Sequence, residues 1–211
     1  GEVARVLAGG LKLAFTRRGL RALMVESMCF EGLFDVTKDY LQPLIAAVAA
    51  GTLAGWSLLA EVDDVARTAL LIAAVYLPLN LAGSLASRSS HRLAGLAGSE
   101  DRLAVVLWLA ALLLYSGSGL GLSAGAGWAA VAGFVLLAVI QNVWRPAQLS
   151  RFYSHAEKKS AATTLSVESQ AKMLAAALAA PLLGAAVDFV SGRGAGGLRG
   201  LWPAAAAGAL A

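Results

Sequence analysis

Charge is scarce in this chain. Asp, Glu, Lys and Arg make up 14% of its 211 residues, against about 25% in an ordinary soluble domain. A single cysteine, Cys29, excludes an internal disulfide framework and a cysteine-based metal cluster. The two histidines, His91 and His155, have no neighbouring Cys or His, so no metal site or other cofactor is expected. No glycine-rich Walker loop is present, which removes the sequence basis for ATP as an energy source. No paired-aspartate or Ser/His/Asp arrangement points to an enzyme. Gly192, Gly194 and Gly197 have a dinucleotide-loop spacing but follow an apolar helix rather than a strand, so no such site is expected. Long apolar runs such as LAVVLWLAALLLY do not alternate, which argues against a membrane β-barrel.

What remains is apolar. Hydrophobic residues make up 58% of the chain, and the mean hydropathy is +0.70. Crossing the hydrocarbon core takes about 20 mostly apolar residues in a helix. Leu70–Ala86, Leu103–Tyr115, Trp128–Val143 and Met173–Val187 each supply the centre of such a run. A polar-studded stretch over 20–50 is long enough for a fifth, and a sixth begins near Leu198. The expected fold is an all-α polytopic transmembrane bundle with five full spans and the start of a sixth, at about 20–50, 66–87, 102–121, 126–148, 161–190 and 199–211. Residues 1–19 read as a cytoplasmic amphipathic linker helix on the membrane surface, or alternatively as a flexible linker. With Gly1 first and the last run cut at Ala211, the chain reads as a piece of a longer protein.

The net charge of +4 and pI near 9.5 follow from topology. Twelve of the seventeen basic residues fall at the N-terminus, near residues 88–102 and over 145–159, while only Arg67, Arg193 and Arg199 fall on the opposite side. The excess of Lys and Arg on cytoplasmic loops therefore places the N-terminus and those two connections in the cytoplasm. No nucleic-acid partner is needed to explain the charge, and no basic face interleaved with aromatics appears.

The order of these features resembles the C-terminal half of a major facilitator superfamily transporter. A basic linker leads into RALMVESMCFEGLFDVTKDYLQP, and GSLASRSSHR, with Gly83, Arg88 and Arg92, resembles a degenerate copy of that family's cytoplasmic loop motif. The uncharged connection SGSGLGLSAGAG, the Arg145-Pro146 pair before a basic loop, and SAATTLSVESQAKML leading to PLLGAAVD complete the likeness. Ser87 replaces the motif's acidic position, which weakens a gating role for Arg88. The resemblance implies a secondary transporter that moves a small solute by alternating access, with protons as coupling ion. It further implies a bacterial inner (plasma) membrane location and a missing N-terminal six-helix half as partner. A membrane-embedded enzyme or a non-transporting scaffold is the alternative.

Ionisable residues within the apolar stretches are the candidate site, because charge is expensive in a bilayer. At about 100° per residue, Glu31, Asp35, Lys38, Asp39 and Gln42 share one helix face, with Glu26 opposite. They read as a cavity wall for solute or proton, or as pairs between Lys38 and its neighbouring aspartates. Glu168 and Lys172 have the spacing of an intrahelical ion pair, although Lys172 lies deep in its span. Gln141, Arg145 and Gln148 share a third face, where Arg145 reads first as a headgroup anchor. Tyr76, Asn80, Gly83, Ser84 and Ser87 form a small-and-polar seam that suits either close packing or a cavity.

Overall fold

The computed structural model describes residues 16–52, 63–156, 161–193 and 197–209, and these residues contain helices and no strand. The linker expected over 1–19 lies almost wholly outside the described residues.

The first helical stretch is built of five segments. Helix α1 (Arg18–Ser27) runs into a π-helical turn (Met28–Gly32), then α2 (Leu33–Thr37), a 3-10 turn (Lys38–Tyr40) and α3 (Leu41–Thr52). Four long helices follow: α4 (Asp64–Ala97), α5 (Glu100–Ser123), α6 (Gly127–His155) and α7 (Ala161–Gly192). A 3-10 segment (Gly197–Leu201) leads into the short α8 (Trp202–Ala209).

Local chemistry sets the boundaries. Asp63 caps α4 by accepting the Ala66 N–H at 2.8 Å, and Ser99 caps α5 by accepting that of Arg102 at 3.1 Å. Acidic residues occupy both first turns, where the helix dipole favours them. Gly98 ends α4 with φ 85°, a left-handed conformation that glycine adopts without a Cβ penalty. The expected cytoplasmic loop from Arg88 to Arg102 is therefore absent. No proline lies between Ser87 and Ala97, and Gly95 alone does not stop the helix, so α4 runs on to Ala97 and the connection shrinks to Gly98 and Ser99. At 34 residues α4 is about 51 Å long, longer than the ~30 Å hydrocarbon core. Its Arg88 and Arg92 lie on a helical extension rather than a loop.

Four helices, α4 to α7, are long and apolar enough to cross a membrane. The first stretch is not among them, because two non-α turns divide it and charged residues punctuate it. Leu77, Leu81, Leu85, Leu113, Leu120 and Leu182 are all more than 60% exposed. Apolar faces this extensive are rare on soluble monomers and suit contact with lipid tails.

Helix α6 is the central element, packing along α4 and α5 and touching α1 and α3. Leu44, Ile45, Leu107, Phe134, Leu137 and Trp144 form the middle of that core. Helix α7 leans on the π turn, α2 and α8, and approaches α6 only slightly. The ends of α4 and α6 near Gly95 and Tyr153 fall on the side opposite the α5–α6 turn. In a Cys29→Ser background, Ala124→Cys should react with an impermeant maleimide on intact cells, whereas Gly95→Cys and Tyr153→Cys should react only after permeabilisation. The reverse pattern would invert the orientation read from the basic residues.

Candidate functional site

The π turn puts three consecutive residues to different uses. Phe30 stacks on Trp144 of α6 with ring centroids 4.3 Å apart, and meets Trp108 of α5 edge-on at 5.2 Å. Glu31 is 1% exposed and points between α6 and α7. Gly32 lies against α7, where an added Cβ would stand 3.0 Å from the Lys172 carbonyl oxygen and 3.1 Å from the Ala175 Cβ. Turns of this kind recur at functional sites because they redirect side chains from the regular helical phase. Gly32→Ala should lower resistance to unfolding in mixed micelles by about 1–3 kcal/mol, the usual cost of overpacking. An unchanged unfolding curve would show that α7 is free to move aside.

Around Glu31 four ionisable groups meet. Arg145 Nη1 donates to both Glu31 oxygens at 3.0 and 3.2 Å, and also to Glu168 Oε1 at 2.8 Å. Arg145 Nη2 donates to Glu168 Oε2 at 3.2 Å, so the guanidinium grips that carboxylate with two nitrogens. Lys172 Nζ donates to Glu31 Oε2 at 2.6 Å. Glu168 is fully buried, while the Arg145 side chain keeps 36% of its surface open. Two carboxylates face two cations, so their formal charges cancel. It spans the slight contact between α6 and α7 with the π turn as its third wall.

A second polar layer lies further along α6. Gln148 Nε2 donates to the Leu23 carbonyl at 3.0 Å, and its Oε1 accepts from Arg151 Nη1 at 2.7 Å. Arg151 also donates to Glu26 Oε2 at 2.6 Å and to Asp101 Oδ1 at 2.7 Å. This layer fastens the ends of α1, α5 and α6 together.

The polar face expected over 31–42 is thus divided. Glu31 joins α6 and α7, whereas Lys38 pairs with Asp35 at 2.8 Å on the exposed side of the stretch, their side chains 46% and 37% open. The π and 3-10 turns change the helical phase on which the single-face reading depended. Lys172 reaches Glu31 rather than Glu168, and Arg145 turns inward instead of serving as a headgroup anchor. Glu26, expected opposite, is the partner of Arg151. Asp39 and Gln42, with Lys38, line a cavity of about 350 Å³ whose other walls include Tyr76, Asn80, Ser84 and Asn142. Gly83 belongs to that wall. A Cβ there would meet the Asn142 amide nitrogen at 2.9 Å, so the glycine makes room for Asn142 within α4. Arg88 and Arg92 are exposed on the same helix, outside both the cluster and the cavity. Gln141 is half-buried, and its Oε1 has no hydrogen-bond partner among the described residues.

Sequence reading missed Asn142, the Phe30–Trp144 stack and the Glu26–Arg151–Asp101 contacts. A usable signal was charge balance. Two acids and two bases lie within apolar stretches, and burial is tolerable only if they find one another.

The chain matches no family model, no curated protein and no solved structure. Its geometry alone therefore defines the class: a helical bundle, apolar on its outside, with a neutral charge cluster and a separate polar cavity between its helices.

Proposed function

We propose that this chain is part of a secondary active membrane transporter, an MFS-like half that moves a small solute by alternating access coupled to protons. The buried cluster of Glu31, Glu168, Arg145 and Lys172 carries the proposal. Ionisable groups inside membrane helices are costly and mark ion or substrate pathways, and this set lies where α6 and α7 touch only slightly. A proton taken up by either carboxylate removes one of the charges that hold Arg145 and Lys172. Helix α7 is then held to α6 less tightly and can part from it, while in the charged state the latch is shut. Such a two-state contact is what alternating access requires. The groove of about 500 Å³ bounded by Asp35, Asp39, Tyr40, Pro43, Ala176 and Ala180 is the face on which a second helical half would close, completing a central pathway. The sequence resemblance to the major facilitator superfamily supports the same arrangement.

The test is proton movement in proteoliposomes that contain the full-length protein and trapped pyranine. Choline, alanine, dialanine and glucose are added one at a time. At least one is expected to drive a proton flux above that of empty liposomes. Flux equal to empty liposomes for all four would favour the scaffold reading, in which the cluster only joins helices.

A further inference from the structure

The polar cavity between the first helical stretch, α4 and α6 lies apart from the charge cluster. Tyr76 and Asn80 sit near the middle of the apolar run Leu70–Ala86, which puts the cavity near the middle of α4's spanning segment. Its charged lining residues are one cation, Lys38, and one anion, Asp39. Lys38 is already neutralised by Asp35, while Asp39 has no ion-pair partner among the described residues. Asp39 is exposed rather than enclosed, and an unpaired carboxylate among membrane-spanning helices calls for a cation. The remaining walls suit an organic one. Asn80 and Asn142 each donate an amide N–H to their own helix, to the Tyr76 and Ala138 carbonyls at 2.8 Å, and keep the side-chain oxygen as an acceptor. Phe34, Tyr76 and Phe134 supply aromatic rings, and ring faces attract ammonium groups.

We infer that this cavity binds a small organic ammonium ion, with Asp39 as its counter-charge, Asn80 and Asn142 as acceptors, and Phe34, Tyr76 and Phe134 as the aromatic wall. As a statement of substrate class this rests on the transport reading above, but binding at the cavity does not depend on it.

Radiolabelled choline binding to the full-length protein in nanodiscs tests the assignment, with its uncharged isostere 3,3-dimethylbutanol as competitor. Saturable choline binding that the isostere does not displace is expected. Asp39→Asn should weaken it on the order of tenfold to a hundredfold, the range for losing a charged partner, and Asp39→Glu should restore much of it. Should Asp39→Asn fail to assemble, Lys38→Gln gives the test from the other side, since removing the ammonium should tighten choline binding. Absence of saturable binding, equal competition by the isostere, or unchanged affinity in an assembled Asp39→Asn protein would overturn the assignment. Choline binding with no proton flux for any solute would sink the transport reading and leave the cavity assignment standing. Proton flux with alanine or glucose but no choline binding would do the opposite.

Discussion

Glu31→Gln is expected to abolish proton-driven solute movement while leaving membrane insertion intact. The amide is isosteric but carries neither a charge nor a titratable proton, so Lys172 and Arg145 lose the carboxylate they share. Breaking a buried ion pair from one side costs about 3–5 kcal/mol, and the one acceptor oxygen that the amide keeps puts this variant near the lower end. Solute exchange without a proton gradient should persist, because the latch is then held by Arg145 and Glu168 alone. Asp35→Asn is the informative contrast. Its pair with Lys38 is open to solvent, and exposed pairs contribute only about 0.2–1 kcal/mol, so proton-driven uptake should survive. Equal losses in both variants would mean that the polar face acts as one unit, contrary to the geometry.

The second large effect is expected at Arg145. Replacing it with Leu leaves Glu168, fully buried, without another ion-pair partner among the described residues. Glu31 keeps only Lys172. The same 3–5 kcal/mol loss is expected on unfolding in mixed micelles. The double variant Arg145→Leu, Glu168→Leu should recover about 1–3 kcal/mol of it, because the orphaned carboxylate leaves with its partner. Arg145→Lys should fall between, since an ammonium cannot hold Glu168 with two parallel nitrogens. A single-variant loss below about 1 kcal/mol, the value of an exposed pair, would show that Arg145 is solvated in the working protein and that the latch does not exist.

Much of the architecture was legible in the sequence, for a simple reason. Runs such as Leu103–Tyr115 and Trp128–Val143 are too long and too uniformly apolar to be anything but buried or lipid-facing helix. The ends were less legible. Helix α4 continues past Ser87 because polar residues do not stop a helix, and Gly98 with the Ser99 cap does. Glu31, Arg145, Glu168 and Lys172 were each visible as out-of-place charges, but their partnership was not. It depends on a π turn at Met28–Gly32 that shifts Glu31 away from the phase of Asp35 and Lys38, and on contacts between residues more than a hundred positions apart. A wheel drawn at constant pitch cannot show either. The cavity was half legible: the Tyr76–Ser84 seam was apparent, while Asn142, the residue for which Gly83 makes space, carried no signal of its own.

Whether a carboxylate of the cluster takes up a proton decides between latch and rivet. Infrared difference spectra of the full-length protein in lipid, recorded between neutral and acidic pH, report this through the C=O stretch of a protonated carboxyl group. A band that appears on acidification and disappears in Glu31→Gln or in Glu168→Gln is the expected result. A spectrum in which neither variant removes any carboxyl band would mean that both glutamates stay ionised against Arg145 and Lys172, and that the cluster holds the helices together without coupling anything to protons.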